Sequence, residues 1–252
     1  DGIILTDESN TNINMSMMPK GAINEVEADE AAVIGIAPNV IRKKGTSGDD
    51  AKINTTFFGI ESDQFLMPEV IEGKAFENDD EVVADISLKE EEGIVIGDTL
   101  QLAGSDKEVE VVGFTEDAKF SVAPVLYTTV SSYQDVRFEQ IDESEEGRVS
   151  AIVVRGSDGM VEGVDTGNED LIVYPIADYI NEIPGYTAQV LTFGLMIGFL
   201  VVIAAVVIGI FIYVLTMQKS SMFGVMKAQG ISSGYIAKSV VIQTFLLAAI
   251  GV

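Results

Sequence analysis

The side chains that most often carry enzyme chemistry are scarce in this chain. It contains no His and no Cys, which removes the usual general base and the thiol nucleophile. The densest acidic groups, Asp79–Glu81 and Glu90–Glu92, lack the spacing and the turn glycine of a calcium loop. The sequence has no set of metal ligands, and its one GxSxG match, GISSG at 230–234, follows a predicted helix and not the strand that a nucleophile elbow requires. We therefore predict no catalytic residue, no metal site and no intrinsic cofactor, and an anchored hydrolase is the weakest functional hypothesis.

Charge is divided sharply along the chain. The part up to Glu182 holds all 40 acidic residues and 12 of the 15 basic ones, a formal net charge of −28 from the difference between 12 and 40. From Ile183 onward the only charged residues are Lys219, Lys227 and Lys238. Loops that carry only Lys beside a membrane helix are typical of the cytoplasmic side, so we expect the acidic part outside the cell. Its charge argues against nucleic acid as a partner.

An uncharged stretch of 26 residues, Val190 to Leu215, is the element around which the rest is arranged. A helix that crosses a bilayer needs roughly 20 apolar residues, so we predict a transmembrane helix within residues 183–217. The alternative is a buried helix of a large soluble core, but such a helix rarely stays apolar on every side for this length. Gly194 and Gly198 form a GxxxG pair, which lets two membrane helices approach closely.

The segment after the span predicts a short helix that is apolar on one side. Its predicted end is Gly230, which fits the left-handed residue that closes many helices. Ser232 or Ser233 can cap the helix that follows. Two interpretations remain open, contact with a partner protein or contact with the lipid surface. The residues that would make such a contact are Met222, Phe223, Met226 and Lys227.

These boundaries give four predicted parts of the chain. Residues 1–182 form an extracellular domain, 183–217 the membrane helix, 218–238 a cytoplasmic coupling loop, and 239–252 the start of a further membrane helix. Because a domain outside the cell must be exported, we also expect a membrane helix before Asp1 and more membrane sequence after Val252.

The domain reads as α+β, with strands outnumbering helices. Residues Val26–Lys44 are β-branched on both sides of Pro38, which predicts two strands with Pro38 at an edge or a bulge. The other predicted strands are Asp1–Leu5, Ile53–Ile60, Glu81–Ala84, Thr99–Leu102, Lys107–Phe114, Pro124–Val130, Val149–Arg155 and Leu171–Tyr174, and the predicted helices are Ile86–Glu92, Ser131–Phe138 and Ile176–Ile183.

Two stretches of sequence resemble a known family. The residues from Ile183 to Ser232, with the loop motif QK…FGVMKAQG, resemble the second membrane helix and following loop of FtsX/MacB-type ABC transporter permeases. The subgroup that looks most similar is the Hrt-type haem-exporting permeases and their DevC-like relatives. Met222 stands where many MacB-type members carry a Glu, which favours that subgroup. Residues 57–102 and KEVEVVGF (107–114) are similar to the MacB-like extracytoplasmic core.

The resemblance implies the assembly and its location. It implies an α+β MacB-like domain joined to α-helical transmembrane segments, in a multi-pass subunit of a bacterial cell membrane. The absence of Cys fits a bacterial surface, and we predict a Gram-positive source. The family forms a homodimer in lipid, on a dimer of separate ATPase subunits. The chain itself has no GxxxxGK[ST] phosphate loop, so we predict that it is not an enzyme.

The same resemblance favours haem as the transported substrate. The alternatives are lipids, lipoproteins or antimicrobial peptides, or an anchored sensor domain without transport. Without His or Cys, iron ligands must come from Tyr or Met, and the candidates are Tyr127 and Tyr186, with Phe193 in the apolar wall. Tyr186 also fits a simple interfacial role, and Tyr127 also fits a role as core filler.

Overall fold

The protein is described by a computed structural model that covers residues 1–46, 48, 51–156, 161 and 164–250. The chain divides into two compact units, Asp1–Tyr186 and a second that begins at Thr187.

The first unit is a mixed α+β domain, as the sequence predicts. Its helices are α1 (Ser87–Glu92), α2 (Val130–Phe138) and α3 (Ile176–Glu182). Its strands are β1 (Gly2–Thr6), β2 (Met18–Pro19), β3 (Glu30–Lys43), β4 (Ile53–Ile60), β5 (Glu72–Gly73), β6 (Glu81–Asp85), β7 (Thr99–Leu102), β8 (Glu108–Thr115), β9 (Lys119–Phe120), β10 (Ala123–Thr129), β11 (Arg148–Val149), β12 (Ala151–Arg155) and β13 (Leu171–Pro175).

The long strand β3 belongs to two sheets. On one side of the domain it continues an antiparallel set in the order β13-β1-β12-β3. On the other side it starts the order β3-β4-β10-β6-β8, and β7 pairs with both β8 and β3. This second sheet therefore closes on itself through six strands. Within it the β4–β10 and β6–β8 pairs are parallel.

Pro38 lies inside β3, so the prediction of two separate strands is wrong. The strand continues through Pro38 because the proline, which has no N–H, lies at an edge of β3 where neither β12 nor β7 is paired with it. β12 pairs with β3 up to Ile34, and β7 begins to pair at Ile41. The amide of Ile36, two residues before Pro38, points into this gap and donates to the Ser150 hydroxyl at 2.9 Å. The proline therefore costs β3 no ladder hydrogen bond.

Helix α2 packs against the sheets at a pair of glycines. Gly35 of β3 and Gly59 of β4 are directly opposite each other, and a methyl group on either would overlap Tyr133 of α2. The Tyr133 hydroxyl lies 3.2 Å from the hydroxyl of Ser150. Side chains at either glycine would therefore push the helix off the sheet.

Apolar side chains fill three clusters around these sheets. The closed sheet holds one of them, with Phe57, Leu100 and Phe114 fully buried. Ile4 and Ile152, from β1 and β12, belong to a cluster that differs from the one containing Ile3 and Leu5. The two faces of that sheet are therefore both covered, which explains the near-continuous apolar run of β1.

The second unit is helical, with α4 (Tyr186–Gln218), α5 (Ser220–Ala228) and α6 (Ser233–Ile250). Among the described residues, α4 is the one helix that is long and apolar enough to cross a membrane. Gly230 has a positive φ of 89° just after α5, and Ser232 accepts from the Tyr235 amide at 3.3 Å, as expected for its closing and capping residues. Helix α6 begins at Ser233, before the predicted start at residue 239, and residues 251 and 252 lie outside the described part.

Candidate functional site

Tyr186 is the first residue of α4. A turn with Gly185 in a left-handed conformation, φ 88°, separates it from α3, so the chain can change direction before the long helix. Val190 and Phe193 follow at four and seven residues, which places all three on one face of α4. All three side chains are exposed, Tyr186 to 39%. The Tyr186 phenol and the apolar side chains of Val190 and Phe193 therefore lie on one face of α4, as the sequence predicts for them.

Tyr127 lies in a different environment, on β10. Its ring packs edge-on against Phe58, with the ring centroids 5.6 Å apart. Burial, with a smaller contribution from the nearby Asp85 carboxylate, raises the pKa of its hydroxyl above the ordinary value of 10. A raised pKa disfavours the phenolate form that binds iron. The placement favours a packing role for Tyr127, and its role as a ligand stays a prediction.

A methionine-containing loop beside α3 was missed by sequence reasoning. Thr11 donates its hydroxyl to the Glu182 carbonyl at 3.1 Å, and Ile13 and Tyr179 belong to the same apolar cluster. These contacts hold the loop against the helix that precedes α4. Within it Met15 is 68% exposed. The signal in the sequence is a run with three Met in four positions, NMSMM, inside an otherwise polar segment.

The four residues predicted for partner contact do not share one environment. Met222, Phe223 and Met226 of α5 line a cavity of about 200 Å³ that is also lined by residues of α4 and α6. Lys227 is exposed and is not part of this lining. Val225, which was not predicted, is 59% exposed. The apolar face of α5 is therefore directed toward its neighbouring helices in the same unit.

Gly194 and Gly198 lie one turn apart on α4, as the GxxxG motif requires. Among the described residues, neither glycine has a neighbouring side chain within contact distance of the position that a Cβ would occupy. Their proposed role in packing stays a prediction.

The acidic groups have structural contacts. Glu81 accepts hydrogen bonds from Lys74 Nζ at 2.7 Å and from the amides of Glu77 and Asn78 at 2.7 and 3.2 Å. Asp79 accepts from the hydroxyl of Thr129. In the described part of the chain no group of three or more acidic side chains is arranged to hold a metal ion.

Comparison with known proteins gives sequence relatives of one kind. No family model matches the chain. It is 26% identical over 168 residues to the "Putative hemin transport system permease protein HrtB" of Staphylococcus epidermidis, covering 64% of this chain and 43% of that protein. The protein of the same name from Staphylococcus haemolyticus is 22% identical over 192 residues, covering 74% and 51%. The chain thus spans about half the length of the curated relatives it matches.

Two solved structures resemble the chain at low sequence identity. The periplasmic region of MacB from Actinobacillus actinomycetemcomitans is 14% identical, with a TM-score of 0.49 over 72% of this chain and 90% of that one. The extracellular domain of the ABC-type transporter YknZ from Gram-positive bacteria is 15% identical, with a TM-score of 0.46 over 69% and 100%.

The resemblance predicted from the loop motif and from the domain sequence is thus matched by relatives that carry the hemin permease name. The sequence comparison confirms this resemblance, since the chain is similar to proteins named as hemin transport permeases.

Proposed function

We propose that the chain is part of the permease subunit of an ABC transporter that removes haem, or a similar flat amphiphile, from the cell membrane. The observation that carries this proposal is the sequence similarity to hemin permeases. A separate ATPase subunit supplies the energy, as the resemblance to ABC transporter permeases implies. Binding of the substrate then weakens when the ATPases dimerise and the permease changes state.

In this proposal α4 crosses the membrane and the acidic domain lies outside the cell. Two observations support the arrangement. The apolar side chains of α4 are exposed on all sides of the helix, which suits a lipid environment. The only charges after the domain are Lys residues, which favour the cytoplasmic side. Two copies of the subunit would meet through Gly194 and Gly198.

The substrate site is proposed at the N-terminal end of α4. Val190 and Phe193 supply an apolar wall for a flat ring system, and Tyr186 supplies an oxygen one turn away. A phenolate is an established type of haem ligand, and so is a Met thioether. Met15 is exposed on a loop of the first unit, and its thioether is a second candidate ligand.

Single substitutions separate the candidate ligands. The experiment uses the full-length subunit purified with its ATPase and records the haem absorbance spectrum. Tyr186→Phe keeps the ring and removes the hydroxyl, so we expect loss of phenolate ligation and poorer survival of cells under toxic haem. Tyr127→Phe is the matched control, because its ring is held in the core by Phe58, and it should leave the spectrum unchanged.

Other results of the spectrum and survival measurements would assign the site differently. A changed spectrum in Tyr127→Phe alone would move the site to β10. An unchanged spectrum and unchanged survival in the double variant would make both tyrosines structural, and Met15→Leu would then test the thioether. A functional complex that never binds haem would disprove the substrate and leave lipids, lipoproteins or antimicrobial peptides as alternatives.

A further inference from the structure

The cavity between α4, α5 and α6 combines an apolar wall with a small polar side. Seven of its eleven lining residues are apolar, and they come from all three helices. The other four are Thr216, Lys219, Ser239 and Gln243. Lys219 lies at the junction of α4 and α5, where one helix ends and the next begins. The cavity is therefore amphipathic, with its one charged group at a helix end.

The second unit contains no acidic residue that could pair with Lys219. No Asp or Glu occurs anywhere from Ile183 to the end of the chain. Lys219 therefore has no carboxylate from its own unit to pair with, and Lys227 and Lys238 add to the positive potential of the unit. An ammonium group beside an apolar surface is stabilised when an anion binds it. The hydroxyls of Thr216 and Ser239 and the amide of Gln243 can donate further hydrogen bonds to the same anion.

Because an apolar wall lies next to this anion site, a ligand that fills the cavity needs both an anionic group and an apolar chain. A free phosphate ion would leave the Met222, Phe223 and Met226 wall in water, whereas an acyl chain would cover it. The cavity also lies at one end of the long apolar helix α4, where lipid head groups are found if that helix crosses a bilayer. Basic pockets between membrane helices on the cytoplasmic side are typical sites for anionic lipid head groups.

We propose that this cavity binds one anionic phospholipid of the cytoplasmic leaflet, with its phosphate at Lys219 and an acyl chain against Met222, Phe223 and Met226. The inference rests on the part of the proposed function that places α4 across the membrane, and it does not depend on haem as the substrate. A lipid bound there contacts all three helices at once. It would hold α5 in place beside α4 and α6, which makes the position of α5 sensitive to the lipid composition of the membrane.

The test measures lipid retained by the full-length subunit with its ATPase, reconstituted in nanodiscs of phosphatidylglycerol and phosphatidylcholine. After mild detergent extraction, native mass spectrometry counts the bound lipids. We expect preferential retention of phosphatidylglycerol, reduced about tenfold in Lys219→Gln because one charge-assisted hydrogen bond is lost. Lys219→Arg should restore retention. Lys238→Gln is the matched control, since Lys238 lies on α6 outside the cavity lining, and it should behave as the parent.

A second variant tests the lipid site itself, and two measurements with haem separate this inference from the haem proposal. Ser239→Leu leaves every charge in place and fills the cavity, so it should also release the lipid. Equal retention in the parent and Lys219→Gln, or equal retention of phosphatidylcholine, would overturn the site. Displacement of the lipid by added haem would also overturn it, because the cavity would then bind the substrate. Loss of haem binding in Tyr186→Phe with lipid retention unchanged would show that the two sites are independent.

Discussion

At the scale of single residues, Glu81 shows how one member of a very acidic domain is used for stability. It is the first residue of β6 and is almost fully buried. Its carboxylate accepts from Lys74 and from two backbone amides of the preceding turn. These hydrogen bonds, that of Lys74 first, lower the pKa of Glu81 from 4.5 to about 2. The ionised form therefore fixes the turn that leads into the central strands.

The lowered pKa predicts a specific dependence of stability on pH. The folded pKa lies below the unfolded one, so the contribution of Glu81 is complete above about pH 4.5 and is lost as the pH falls toward 2. Glu81→Gln should lower the free energy of unfolding at pH 7 by about 2–3 kcal/mol and by much less at pH 2. Chemical unfolding of the chain in detergent, followed by circular dichroism, measures both.

Glu90→Gln is the control for this experiment, because Glu90 is exposed on α1 and exposed carboxylates contribute little. An equal loss of stability at pH 7 and pH 2 in Glu81→Gln would show that packing, not charge, explains the effect.

At the scale of elements, α5 presents two different surfaces. Phe223 and Met226 are half-buried in the lining of the cavity, while Val225 and Lys227 are exposed. Contact with an ATPase through α5 would therefore use Val225 and Lys227 directly. Phe223 would act by holding the helix in position.

We predict that Val225→Asp abolishes most of the permease-stimulated ATP hydrolysis and leaves the unfolding temperature of the subunit unchanged, because it alters only the exposed surface. Phe223→Asp should lower both quantities, because it places a charge against the apolar cavity wall. Stimulated ATPase rates and thermal unfolding of the purified complex distinguish the two. Full stimulation in Val225→Asp would assign the contact to another part of the chain.

The elements also show which features a sequence can predict. The bounds of β4 and β7 coincide with the predicted strands. β4 is a run rich in β-branched and aromatic residues, and β7 is a short run between the turn glycines Gly97 and Gly104. The continuity of β3 through Pro38 could not be predicted, since it depends on β12 and β7 leaving a gap that forms only in the folded sheet. The cavity at α5 could not be predicted either, because it also forms only when the helices pack together. A one-sided apolar helix has the same pattern whether a partner or its own neighbours cover that side.

At the scale of the whole molecule, the division of charge predicts the orientation of the chain in the membrane. Ser144 and Ser221 are both exposed, so a Cys at either position can react when a reagent reaches it. The chain has no Cys of its own, so each introduced Cys is the one thiol within it. An impermeant thiol reagent on intact cells should label Ser144→Cys and should label Ser221→Cys only after the cells are opened. The reverse pattern would invert the topology.

The strand shared by both sheets has a mechanical consequence for the domain. Fourteen residues of extended strand span about 45 Å, and β4 is paired continuously across the stretch around Pro38. Relative rotation of the two sheets would have to bend a hydrogen-bonded ribbon, which has no flexible joint. A displacement applied at α3, which packs next to β13, would therefore move both sheets together, because the strand that they share contains no hinge.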